Sequence, residues 1–190
     1  MALFIGRNMQ NPGEELVGEY LKHILGCDFV EYNLYTPNIQ GEIDVVGINI
    51  KAKEVYICEV ATHLITGLQY VKNNQPDNIE RFYKKFVKNI RYVEECFPNH
   101  KARFMLWSPI VKDQSSNAKH NQRRDIKTIQ DQILTEFGVE IEPIVNQKYL
   151  KCLSELRSYA RNETKELKSP IMRLFQIEEY LLKHIERLER

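Results

Sequence analysis

The sequence predicts a three-layer α/β domain with a central mixed β-sheet flanked by helices, followed by a C-terminal helical extension. Three observations predict it. Helix-periodic and β-rich segments follow one another in the order α-β-β-β-α-β-α-β up to residue 146, a layered α/β pattern. Segments 41–50 and 54–62 are mostly apolar, as expected of central strands covered on both faces. Beyond residue 146 strand signals stop and only helical periodicity remains. The expected division is therefore a domain over 1–146 and a helical extension over 147–190.

The elements can be justified in turn. Asn11-Pro12-Gly13 is a breaker cluster, after which Leu16, Val17, Tyr20, Leu21, Ile24 and Leu25 recur at helical spacing, closed by Gly26. Glu14 and Glu15 in the first turn suit the helix dipole. Residues 28–35 are rich in β-branched and aromatic side chains and read as a strand, and Thr36-Pro37-Asn38 as a turn. The strands over 41–50 and 54–62 form an expected hairpin around Lys51-Ala52-Lys53. A loop through Gly67 and residues 73–76 leads to a long helix over 77–96. Its apolar positions are Ile79, Phe82, Phe86, Ile90 and Val93; Arg81, Lys84, Lys85, Lys88 and Arg91 are assigned to its other face. A strand over 103–107, an irregular stretch over 108–120, a helix over 122–137 and a strand over 139–145 complete the domain. Helices over 149–161 and 170–190 follow. The last spaces Ile171, Leu174, Phe175, Leu181, Ile185 and Leu188 along one side, which either packs back on the core or meets a partner, a second copy included.

Composition bounds the function. The chain has 190 residues, 43% of them hydrophobic and 28% charged, as in ordinary globular proteins. With 27 Lys+Arg against 26 Asp+Glu, nucleic-acid affinity would have to come from a local basic patch rather than from net charge. Cys27, Cys58, Cys96 and Cys152 lack zinc-type spacing and read as reduced thiols. The N-terminal apolar run is too short for a signal peptide, and no window approaches the ~20 apolar residues of a membrane span. A soluble, cytoplasmic protein with no membrane association is expected.

The chemistry concentrates in GEIDVVGINIKAKEVYICEVATH, residues 41–63. Residues two apart on a strand share a face, so Glu42, Asp44 and Val46 lie together, as do Ile57, Glu59, Ala61 and, if the strand runs that far, His63. Carboxylates among such apolar neighbours need compensation. A divalent cation, Mg²⁺ or Mn²⁺, held by Asp44, Glu59 and the backbone carbonyl of Val60, would supply it. An acid from the start of the first helix could complete the site. The alternative is an edge position or a salt bridge.

Three stretches in order carry a resemblance: Gly13-Glu14-Glu15-Leu16-Val17-Gly18-Glu19-Tyr20-Leu21 with Gly26, Gly41-Glu42-Ile43-Asp44-Val45-Val46, and Cys58-Glu59-Val60-Ala61-Thr62. Together, over residues 12 to 63, the chain resembles the PD-(D/E)XK nuclease superfamily, nearest to its Holliday-junction-resolvase-like and small endonuclease branches. The resemblance implies a restriction-endonuclease-like fold and metal-dependent cleavage of DNA. It matches Glu14, with Glu15 as rival, to the helix glutamate, and Asp44 and Glu59 to the metal-binding acids. The family's lysine two residues after the second acid is Ala61 in this chain. Its role could have moved to Lys72, Lys84, Lys85 or Lys88. His63 could assist, or cleavage could have been lost and the fold kept as a DNA-binding or partner-binding subunit. Thr62 and Gln69 are further polar neighbours. Expected phosphate contacts are Arg81, Lys84, Lys85, Lys88 and Arg91, with Arg123 and Arg124 in the basic stretch 119–124.

Overall fold

In the computed structural model, residues 11–35, 41–115 and 118–189 are described. The turn expected at Thr36-Pro37-Asn38 lies outside them. Asn11 caps the first helix, its Oδ1 accepting from the Gly13 N–H at 2.9 Å. The helix, α1 (Pro12–His23), leads into β1 (Phe29–Tyr35), β2 (Glu42–Asn49) and β3 (Glu54–Val60). These three strands form an antiparallel meander. Lys53 turns the β2–β3 hairpin at φ +52°.

Where a plain loop is expected, the chain forms a small hairpin, β4 (Val71–Lys72) and β5 (Gln75–Pro76). Asn73 and Asn74 at its tip both have positive φ, the backbone that tight hairpin turns require. Next come α2 (Asn78–Cys96), β6 (Lys101–Ser108), α3 (Gln122–Phe137) and β7 (Ile141–Val145). Gly138, at φ +65°, ends α3 in a left-handed C-cap, and β7 therefore starts two residues later than its apolar pattern suggests. β6 lies parallel to β3, and β7 parallel to β6, which gives a mixed five-stranded sheet in the order β1-β2-β3-β6-β7. Pro143 is tolerated because β7 is an edge strand.

The layers follow from strand alternation. Val55, Ile57 and Ala61 of β3 and its end pack with Phe82, Phe86 and Ile90 of α2 and with Ile126, Ile129 and Ile133 of α3. Tyr56 and Cys58 face the other way, into a core with Val17 and Leu21 of α1. That second core continues into α4 (Gln147–Asn162) and α5 (Pro170–Leu188) through Cys152, Leu156, Met172 and Phe175. The two extension helices thus add to the α1 side of the sheet. α5 divides along its length: Met172, Phe175 and Gln176 are buried, while Leu174, Leu181, Leu182, Ile185 and Leu188 are exposed. Among the described residues no helix is long and apolar enough to cross a membrane.

Candidate active site at the ends of β2 and β3

β2 and β3 pair as far as Val45 and Cys58, and one residue further Asp44 and Glu59 stand side by side. Both are buried, Asp44 at 7% exposure and Glu59 at 0%. Asp44 Oδ2 accepts the Val60 N–H at 2.7 Å, so the carboxylate takes over where the backbone ladder stops. Both acids turn toward α2, and α2 supplies the compensation. Lys85 Nζ lies 3.0 and 3.2 Å from the two oxygens of Asp44 and donates to Glu59 Oε2. Asn89, one turn on, donates from Nδ2 to Glu59 Oε1 at 2.7 Å. Among the described residues the Asn89 side-chain oxygen is buried without a partner.

Lys85 and Lys88 therefore do not belong to a solvated face of α2, as their spacing from the apolar stripe suggests. They sit at its flank, where Lys85 reaches under the helix to the strand ends and Lys88 Nζ donates to the Glu42 carbonyl. Of the four lysines considered as substitutes for the one missing at Ala61, Lys85 is the one in contact with both acids. Ala61 itself is at 2% exposure in the α2-side core, and its N–H bonds the Trp107 carbonyl at 2.9 Å. Lys84 pairs with Glu80 on the surface. Lys72 lies on the β4–β5 hairpin.

α1 meets this site at its N-terminus. A Cβ at Gly13 would come within 2.1 Å of Thr62 Cγ2, so glycine permits the helix start to abut the end of β3. Glu14 follows and accepts from Asn33 Nδ2 at 3.1 Å. Its carboxyl is pushed above the ordinary range by partial burial; the Asn33 hydrogen bond opposes this, and the charges of Asp44 and Glu42 add to it. The rival Glu15 accepts from the Ser169 hydroxyl at 2.7 Å, which ties it to the segment before α5. Glu14 feels the charge of Asp44.

Electrostatics follow from two carboxylates sharing one ammonium. Burial raises the Glu59 carboxyl to about 7, with Asp44 repelling and Lys85 and Asn89 opposing the rise. Burial pulls Lys85 down, but Glu59 and Asp44 outweigh it and hold the ammonium above its ordinary range. Lys88 is lowered, by burial first.

His63 lies past the end of β3 and is exposed; its ring packs edge-on against Tyr70 with centroids 5.0 Å apart. Arg81 covers the same tyrosine at 4.2 Å. The strand does not run far enough to carry His63 on the face of Glu59. Arg123 and Arg124, at the start of α3, face Asp113 and the Ala118 carbonyl respectively. Asn89 is the residue that sequence reasoning missed. Its signal was a polar side chain one turn after Lys85 and beside Ile90, within the apolar stripe of α2.

Asp44 and Glu59 set two buried carboxylates side by side on neighbouring strands, oxygen donors of the type that hard divalent cations take. Among the described residues no group of three or more His, Cys, Asp and Glu side chains could hold a metal ion. Further ligands would have to be waters and substrate oxygens, the usual manner of magnesium. No family model, curated protein or solved structure matches this chain.

Proposed function

We propose that the protein is a metal-dependent DNA endonuclease in which Lys85, projecting from α2, stands in for the lysine absent at Ala61. The observation that carries this reading is the Lys85 ammonium bridging Asp44 and Glu59 at the ends of adjacent strands. It supports a restriction-endonuclease-like reading of the fold, because the resemblance asks for two acids and one lysine at this point. A purely structural ion pair accounts less well for two buried acids sharing a single cation.

Asp44 and Glu59 would hold Mg²⁺ or Mn²⁺, with the Val60 carbonyl beside them. A bound cation would polarise the scissile phosphate and make water more acidic. Lys85 would orient the attacking water and counter charge on the phosphate. Asn89 holds Glu59 by its second oxygen, leaving Oε2 directed at Lys85. Glu14, with its raised carboxyl, is placed to exchange a proton with water at the edge of the site. The free state of all four cysteines accords with a cytoplasmic setting.

The deciding experiment is cleavage of plasmid and branched DNA with Mg²⁺ or Mn²⁺ by wild type, Asp44→Ala, Glu59→Ala and Lys85→Met. Loss of cleavage in all three folded variants, with wild type active, supports the assignment. An inactive wild type on every substrate favours the second reading, a nuclease-fold subunit that binds DNA or a partner without cutting. The engagement of Lys85 by both acids is the observation on that side, since it already neutralises part of the site.

A further inference from the structure

An open cleft of about 660 Å³ lies beside this site, between α2 and the strand ends, with Lys85 in its wall. Arg81, Lys84, Lys88 and Arg91 line it on the helix side; Tyr35, Gly41 and Glu42 line it on the strand side. Five cations and one carboxylate line it, and of these Lys85 is already held by Asp44 and Glu59 at the site itself. Lys84 is engaged by Glu80, outside the cleft lining. Lys88 is the informative member. It is buried to 9% exposure, and the partner it reaches is a neutral backbone carbonyl, that of Glu42. Gly41, at φ +122°, lets the strand start pass close by, since a Cβ there would stand 3.2 Å from Lys88 Nζ. A cation so enclosed is compensated best by an anion entering the cleft.

The size and the walls narrow the anion. Arg81 to Arg91 span about 15 Å of helix, which matches an extended polyanion better than a single small anion. The volume is that of a pocket for a small ligand and is too small to take in a duplex. At the strand-side rim Tyr35 is 71% exposed, presenting an aromatic face to the cleft. A cationic track beside an exposed aromatic ring is the arrangement by which proteins hold single strands, with phosphates on the cations and bases stacked on the ring.

We propose that this cleft binds a single-stranded nucleic-acid segment, with a phosphate on Lys88 and a base against Tyr35, and leads that strand to Lys85. The inference rests on the nuclease reading for what happens to the strand, and not for its binding.

The test is fluorescence anisotropy in EDTA, with a labelled single-stranded 12-mer and a blunt duplex of the same sequence as probes. Wild type is expected to bind the single strand at least about tenfold tighter than the duplex, of the order of one stacked base. Tyr35→Ala should lose about tenfold with an unchanged salt slope. Lys88→Met should weaken binding and reduce the slope of log K against log salt by about 0.7, the value for one phosphate on a single strand. Arg91→Gln, an exposed position, should shift the slope the same way and keeps the test decisive if Lys88→Met does not fold. Equal or tighter duplex binding overturns the inference, as does single-strand affinity unmoved by Tyr35→Ala and Arg91→Gln. Binding without any cleavage in Mg²⁺ would sink the endonuclease reading and leave the cleft standing. Cleavage of duplex with no single-strand preference would do the reverse.

Discussion

Cys58 and Glu59 are neighbours in β3, both at 0% exposure, and they face opposite worlds. Cys58 points into the α1 side, where Trp107 stands edge-on between Tyr20 and Tyr149, with centroids at 5.3 and 5.9 Å. Glu59 points into the α2 side, where Lys85, Asn89 and Asp44 interrupt an apolar core. Both faces of the sheet are packed, and one of them also carries the acids. The difference teaches that strand alternation can set a carboxylate toward one layer while its neighbour in the chain packs into the other.

That contrast can be broken from either side. The largest stability effect is expected from Trp107→Ala, about 3–5 kcal/mol in urea unfolding, from the aromatic side chain lost and the cavity left. It should be independent of pH and Mg²⁺. Next comes Lys85→Met, which leaves two buried acids uncompensated. A loss of about 3 kcal/mol is expected at pH 8 without metal, at the low end for a broken buried pair because the lysine side chain is 26% exposed. Millimolar Mg²⁺ should restore part of it if the acids bind the cation; no response would count against a metal site.

Glu59→Gln sharpens the comparison through pH. The folded Glu59 carboxyl is raised to about 7, so the folded state holds a proton that the unfolded chain has lost. Its contribution to stability is complete below the ordinary carboxylate range and is lost as pH rises through about 7. In EDTA, wild-type stability should therefore fall relative to Glu59→Gln as pH rises from the ordinary carboxylate range through about 7. Parallel curves would show that Glu59 titrates normally. The smallest effect expected is that of Ala61→Lys. Ala61 is packed among Ile57 and its neighbours, and Lys85 already fills the cationic role. Overpacking should cost about 1–3 kcal/mol. In the double variant with Lys85→Met the two losses should fall short of additivity, because the new lysine can serve the same acids.

Much of this was legible in the chain itself. The period of two in 41–62 put Asp44 and Glu59 on one face, and the β2–β3 register bears this out, since the two acids follow directly on the Val45–Cys58 pair. The breaker and glycine signals at 11–13 and 138 located the capped start of α1 and the capped end of α3. The Asn73-Asn74 hairpin was less legible, because two-residue strands leave no periodicity to read. The bounds of β3 were overextended, and with them the placing of His63, because Ala61 and Thr62 continue an apolar pattern after strand pairing with β2 has ended.

What the sequence determined by itself was the presence of two acids in buried strands and the order of the layers, because both follow from alternation along a local segment. It could nominate four lysines for the vacancy at Ala61 but could not choose among them. That choice came from tertiary structure, for Lys85 meets Glu59 and Asp44 across 26 and 41 residues of chain. Helical periodicity assigned Lys85 to the face of α2 away from the apolar stripe; the packing of α2 against the ends of β2 and β3 brought it instead to the acids.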